Sequence, residues 1–133
     1  MFKNQFLPEG GINMKRVILL GLLISCLVLG NAQKPITPDQ AANYMGKKMT
    51  VCGKVVGTKY LYKSKGQPTL LNLDKPYPNQ IFTVLIWGSD RDKFIPAPET
   101  LYDKKNICVT GVIKDYKGKP EIIVNDQEQI KIK

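Results

Sequence analysis

Hydrophobic and polar residues alternate along most of the chain after residue 48, with a period of two. In the longest run, residues 49–62, Val51 lies on the side opposite Cys52. This period predicts a β-strand whose successive side chains point to opposite faces. Gly53 and Gly57 interrupt the run, and glycines inside a strand indicate a bulge or a sharp bend, as at the corner of a barrel.

Further runs of the same character follow, separated by turns rich in Gly, Pro, Asn and Lys. They predict strands over residues 69–73, 81–87, 106–116 and 121–124, with a last extended piece over 129–132. In the third strand Phe82 and Trp87 fall on opposite faces, and we assign Phe82 to the core.

Two short helices accompany these strands. A polar lead-in over residues 33–45 contains a helix that ends at Tyr44. A second helix is predicted between the third and fourth strands, where Ser89 can cap its start and Pro96 and Pro98 are expected to end it.

Five short strands with a helix between the third and fourth are the layout of the OB-fold, a Greek-key barrel. We therefore predict a mainly β chain, with a five-stranded OB-fold barrel over residues 46–133. Hydrophobic residues make up 43% of the sequence and charged residues 23%, as is usual for a globular domain. A chain of this size has enough material for one core.

The start of the chain, residues 1–32, is predicted to be a signal peptide. Two basic residues precede the apolar run 17–30, which is shorter than the ~20 residues that span a bilayer. Small residues precede a predicted cleavage after Ala32, and Met14 is the expected initiator. We expect export to the periplasm or secretion, with no transmembrane span in the mature chain.

Lipidation is the alternative for this segment. Residues 23–26 match a bacterial lipoprotein box, in which Cys26 would be lipidated and become the mature N-terminus. The apolar run continues past Cys26, where a lipoprotein normally turns polar, so cleavage after Ala32 is preferred.

Cleavage after Ala32 leaves two cysteines, Cys52 and Cys108. In an exported domain an even count favours a disulfide. Residues 48–55 and 105–113 have similar patterns, and a cross-strand disulfide is sterically possible if these strands are antiparallel neighbours. Free buried thiols are the alternative; two cysteines without histidine cannot complete a zinc site.

The chain is basic and carries 20 Lys or Arg against 11 Asp or Glu, a formal charge of +9. Such a charge favours anionic partners. The absence of histidine excludes histidine-based catalysis, and the carboxylates form no evident constellation. Arg91 is the single arginine after residue 32, which disfavours a metal-dependent nuclease. We predict no enzymatic activity, no cofactor and no metal.

Several segments resemble a family of small bacterial exported OB-fold domains. They are Val51–Val55, Leu71–Leu73, Tyr77–Gln80, Phe82–Val84, Cys108–Gly111, Gly118–Ile122 and Gln129–Ile130. The family is similar to the anticodon-binding type of OB-fold, and the resemblance covers roughly residues 46–132. It implies a domain that binds nucleic acid.

OB-folds generally bind along strands 2 and 3, between the 1–2 and 4–5 loops. Lysines in these loops can follow a phosphate backbone, and exposed rings can stack on bases. The candidate nucleic-acid-binding residues are Tyr60, Tyr62, Lys63, Lys65, Trp87, Tyr116, Lys117 and Lys119. Tyr60 and Tyr62 are the preferred stacking residues, whereas Tyr77, beside two prolines, is interpreted as packing in a turn. The preference for Lys over Arg favours diffuse contact over base reading.

The predicted function is an exported OB-fold module that binds single-stranded DNA or RNA without sequence preference. An alternative is an adaptor that recognises an envelope protein, a glycan or a small charged ligand through Trp87 and Leu85. In a third hypothesis the positive charge lies against anionic lipid, lipopolysaccharide or another anionic polymer.

Overall fold

Six strands and four short helices make up the part of the chain that the structure, a computed structural model, describes: residues 33–133. The strands are β1 (Lys48–Tyr60), β2 (Thr69–Leu73), β3 (Thr83–Ile86), β4 (Asn106–Tyr116), β5 (Lys119–Ile123) and β6 (Ile130–Ile132). The helices are three 3₁₀ segments, Pro38–Tyr44, Gly88–Lys93 and Gln127–Gln129, and one α-helical turn, α1 (Pro98–Leu101).

The first five strands close into a barrel. They are hydrogen-bonded in the order β1-β2-β3-β5-β4, and β4 pairs back onto β1. All neighbours are antiparallel except β3 and β5, which run parallel. This order is that of the OB-fold and confirms the fold class predicted from the sequence. The short β6 adds to the N-terminal half of β4, where Ile107 lies opposite Ile132.

The core fills the inside of this barrel. Apart from one irregularity in β1, every second residue of the barrel strands points inward, and Val51, Leu71, Val84 and Ile122 are fully buried there. Phe82 is also fully buried, as predicted. The alternation of aliphatic residues therefore explains why these segments form strands and which side of each strand faces the core.

A bulge in β1 reverses which residues face outward. Val55 pairs with Leu73, but Gly57 pairs with Asn72, so Val56 is an extra residue in β1. Because side chains alternate strictly along a strand, one extra residue exchanges the two faces beyond it. The bulge confirms the irregularity that the glycines predicted.

The lead-in packs along the free edge of β1. The Ile36 N–H donates to the Thr50 carbonyl at 2.9 Å, and the Cys52 N–H donates to the Ile36 carbonyl at 3.0 Å. Ile36 and Ala41 are buried in the same core as the barrel strands. Residues 33–133 accordingly form one unit.

The connection between β3 and β4 differs in detail from the prediction. The 3₁₀ helix begins at Gly88 with Trp87 as its N-cap, so Ser89 does not cap it. Pro98 starts α1 instead of ending the first helix, because a proline fits the first turn, where its missing N–H is not needed. After α1, Tyr102 packs edge-on against Phe94 with ring centroids 6.2 Å apart. Burial raises the pKa of Tyr102 to about 12.

Cys52 and Cys108 form a disulfide between β1 and β4. The two residues lie directly opposite each other in the antiparallel ladder, with Cα atoms 4.0 Å apart. This confirms the predicted pairing and its cross-strand geometry.

The predicted signal peptide, the initiator Met14 and Cys26 lie outside the described residues. Between residues 33 and 133, no helix has the length and hydrophobicity needed to cross a bilayer.

Candidate functional site

The outward side of β2, β3 and β5, with the β1–β2 and β4–β5 loops at its two ends, is here called the β2–β3 face. Its outward residues line up in rows across the strands. Leu70 lies opposite Leu85, which lies beside Ile123, and Lys59 extends this row onto β1. A five-residue strand is about 17 Å long, so the two loops are separated by at least roughly that distance along the strands.

The β1–β2 loop packs against the end of β3 through Trp87. A Cβ atom at Gly66 would lie 2.8 Å from a ring carbon of Trp87, so only glycine allows this contact. The Gly88 N–H donates to the Gly66 carbonyl at 2.9 Å, which ties the loop to the start of the 3₁₀ helix. Trp87 is 38% exposed and lines a shallow cavity of about 360 Å³ with Gln67 and Ser89.

Three predicted residues lie in this loop near Trp87. Tyr62 is 59% exposed, and the Lys63 ammonium lies 5.6 Å from the centre of its ring. Lys65 is exposed one residue before Gly66. An exposed ring and two cations therefore share this end of the β2–β3 face.

The β4–β5 turn forms the other end. Lys117 and Gly118, the two residues between the strands, both have positive φ angles, of 51° and 84°, as a tight hairpin turn requires. Tyr116 lies opposite Lys119 in the ladder and is 57% exposed. The Lys119 ammonium donates to the Pro78 carbonyl at 3.4 Å, so the β2–β3 loop borders this end.

Tyr60, one of the two preferred stacking residues, is placed elsewhere. It lies opposite Thr69, which is fully buried, so its ring is on the inward side of the sheet. The Arg91 guanidinium lies over this ring at 3.7 Å and also donates to the Thr69 hydroxyl at 2.8 Å. Glu99 accepts two hydrogen bonds from the same guanidinium.

This arrangement corrects the prediction for Tyr60. The bulge at Val56 turns Tyr60 inward, and one face of its ring is covered by Arg91. Its ring centroid lies 6.2 Å from that of Tyr62, so Tyr60 supports the loop that carries Tyr62. The structure therefore brings Tyr62, Lys63, Lys65 and Trp87 together at one end of the face.

Two lysines that flank this face were missed in the sequence, and one tyrosine was misinterpreted. Lys59 lies opposite Leu70 and Lys114 opposite Glu121, so both point outward beside the face, and both are exposed. Alternation alone assigns Lys59 to the wrong side, because the position of the bulge must be known first. Tyr77 is 78% exposed, so the interpretation that it packs in a turn is wrong.

The lysines at the two ends of the face are not paired with described carboxylates. Within the described part of the chain the salt bridges are Arg91–Glu99 and Lys93–Asp90. The four predicted lysines of the two loops are in neither, so no carboxylate neutralises them at salt-bridge distance. Within residues 33–133, no group of three or more Cys, Asp or Glu is placed to hold a metal ion.

The carboxylate of this face, Glu121, is buried in its middle row. It lies between Thr83 and Lys114 in the ladder and is 8% exposed. Burial raises the pKa of Glu121, and the Lys114 charge opposes this only in part. The Thr83 hydroxyl donates to the Asn72 side-chain oxygen at 2.9 Å, so polar groups occupy the centre of the face.

Strand order, barrel closure and the two-loop face decide the fold. The chain has the OB-fold. The sequence matches no family model and no curated protein. Among solved structures, the OBody AM1L10 bound to hen egg-white lysozyme is similar, with a TM-score of 0.53 at 16% identity. That match covers 75% of this chain and 91% of the OBody chain.

An aspartyl-tRNA synthetase from Entamoeba histolytica is similar as well, with a TM-score of 0.52 at 18% identity. The match covers 77% of this chain but 22% of the synthetase, so this chain spans about a fifth of that enzyme's length. At these identities the likeness establishes the shared fold.

Proposed function

We propose that this protein is an exported module that binds single-stranded nucleic acid across the β2–β3 face, without sequence preference and without catalysis. One observation carries the proposal. Each end of the face presents an exposed ring together with lysines that are in no described salt bridge: Tyr62, Trp87, Lys63 and Lys65 at one end, and Tyr116, Lys117 and Lys119 at the other.

The chemistry of these groups suits a single strand. Bases stack on any exposed ring with little sequence dependence, and lysines contact phosphates as point charges. A separation of at least about 17 Å between the ends fits a strand of several nucleotides, within the range of OB-fold site sizes. The polar middle row offers hydrogen-bonding groups to a strand that crosses it.

Two solved structures with this fold support different ligands. The synthetase is named for a transfer RNA, which favours nucleic acid. The OBody is bound to a protein, and it supports the alternative of an adaptor that uses Trp87 and Leu85. The loop lysines, which are in no described salt bridge, favour the first.

The test is fluorescence anisotropy of the purified protein with labelled single-stranded DNA, single-stranded RNA, duplex DNA and heparin at about 50 and 200 mM salt. We expect single strands to bind more tightly than heparin, with an affinity that falls steeply as salt rises. Substitution of Lys63, Lys65, Lys117 and Lys119 by Gln is expected to flatten the slope of log K against log salt by up to about 3.

Equal binding to every polyanion, or no binding, would contradict the proposal. Capture of one envelope protein that survives the four lysine substitutions but not Trp87→Ala would favour the adaptor.

A further inference from the structure

A second basic surface lies on another side of the barrel. It consists of the outward residues of the N-terminal half of β1, of β4 and of the β6 strand with its flanking residues, and is here called the lysine face. The register of β1, β4 and β6 places its outward residues in four rows. The rows are Lys48 with Val112; Thr50 with Thr110 and Gln129; Cys52 with Cys108 and Lys131; and Lys54 with Asn106 and Lys133.

The four lysines of this face are free to meet a partner. Lys48, Lys54, Lys131 and Lys133 are all exposed. None of them is in a salt bridge with a described residue. No Asp or Glu occupies an outward position in these rows. Carboxylates at its edges include Asp74, which accepts a hydrogen bond from the Lys54 N–H at 2.9 Å, and Glu128, beside Lys131.

The lysines surround a neutral centre. The Thr50 and Thr110 hydroxyls are hydrogen-bonded at 2.7 Å, and the disulfide lies next to them. Strand spacing and rise place the four ammonium groups in an array of roughly 10 by 20 Å. No row contains an aromatic ring, so a base would find nothing to stack on. Such an array suits a broad layer of negative charge.

The start of the described chain lies beside this face. Gln33–Ile36 runs along β1, whose other edge pairs with β4, and Ile36 bonds to Thr50 and Cys52.

We propose that the lysine face docks the protein on an anionic lipid bilayer, with its lysines against lipid phosphate groups. Lysines within a Debye length of an anionic membrane each strengthen binding by about fivefold. Four of them together are expected to account for a change of about 100-fold or more in vesicle affinity. This docking does not depend on nucleic-acid binding at the β2–β3 face.

The test is co-sedimentation of the purified protein with vesicles of phosphatidylcholine mixed with phosphatidylglycerol, and with vesicles of phosphatidylcholine alone. The variant carries Lys48→Gln, Lys54→Gln, Lys131→Gln and Lys133→Gln. The matched control carries Lys63→Gln, Lys65→Gln, Lys117→Gln and Lys119→Gln, with the same net charge. Circular dichroism and a thermal melt establish that both variants are folded.

We expect the wild-type protein to bind the anionic vesicles and not those of phosphatidylcholine alone. The lysine-face variant should lose about 100-fold in affinity for the anionic vesicles, and the affinity of the control should change by less than about threefold. Equal losses in the two variants would mean that net charge, not this face, drives binding and would overturn the proposal. Absence of wild-type binding to anionic vesicles would overturn it too.

A second readout separates the two proposals. Binding of single-stranded DNA to the lysine-face variant is expected to stay within threefold of wild type. A loss of DNA affinity as large as the loss of vesicle affinity would make this face a general polyanion surface and reject the assignment to lipid. Vesicle binding without any DNA binding would reject only the function proposed for the β2–β3 face.

Discussion

The β2–β3 face and the lysine face belong to one barrel and carry similar numbers of lysines, yet they differ in what stands between those lysines. The first has exposed rings at its ends and a buried carboxylate in its middle. The second has hydroxyls and a disulfide at its centre. Charge alone attracts any polyanion, so the groups between the charges decide which polyanion fits.

The largest expected effect concerns the disulfide at the centre of the lysine face. Cys52→Ala with Cys108→Ala removes a link across 56 residues and is expected to lower the free energy of unfolding by about 4 kcal/mol. Urea denaturation measures the change. Wild-type protein treated with a thiol reductant should show the same loss; a smaller loss after complete reduction would show that the substitutions destabilise the barrel in another way.

Removal of a ring is expected to affect the β2–β3 face alone. Tyr62→Ala should weaken binding of single-stranded DNA by about 1 to 3 kcal/mol, because a base loses its stacking partner. Val112→Ala removes an exposed apolar side chain from the lysine face and should leave DNA binding unchanged. Anisotropy measures both. If the two variants bind DNA equally, Tyr62 is not a stacking residue.

Substitutions at two glycines test the contact between the β1–β2 loop and Trp87 separately from the effect of a positive φ angle. Gly66→Ala and Gly118→Ala both place a side chain at positive φ, at a cost of about 1 to 2 kcal/mol. At Gly66 the new Cβ also meets Trp87, whereas at Gly118 nothing lies within 4 Å. The chain has 1 Trp, so its fluorescence reports this contact directly. We expect a spectral shift for Gly66→Ala alone, and a shift in both variants would contradict the packing described.

The smallest effect is the pH dependence of Glu121. Burial raises its pKa in the folded state above the ordinary 4.5, so the protonated form is favoured there. Its contribution to stability is present below pH 4.5 and is lost as the pH rises through the folded pKa. Glu121→Gln should therefore match wild type at low pH and become the more stable of the two as pH rises. Urea midpoints across this range measure it, and a constant difference at all pH values would refute it.

The strands of this barrel could be predicted because the hydrophobic pattern is regular. Residues 69–73 and 106–116 were predicted with the bounds that the structure shows. The burial of Phe82 could be predicted because alternation shows which side of a strand faces the core. The disulfide could be predicted because its two cysteines occur in two strands of similar pattern.

Side-chain placement near irregular backbone could not be predicted from the pattern. The sequence indicates a bulge in β1 but not its residue, and Tyr60 faces inward because the extra residue is Val56. The lysine face was not predicted either, because its rows combine β1, β4 and the end of the chain, and only the ladder register shows that they adjoin.

The bulge at Val56 divides β1 into two parts in which opposite positions of the alternation face outward. Before it, even-numbered residues such as Lys48 and Lys54 point outward, and after it an odd-numbered residue, Lys59, does so. A substitution at Val56 alters one exposed side chain. Deletion of the same residue would turn Lys59 to the inward side of the sheet and Tyr60 to the outward side. The barrel is therefore expected to tolerate a substitution at Val56 far better than a deletion there.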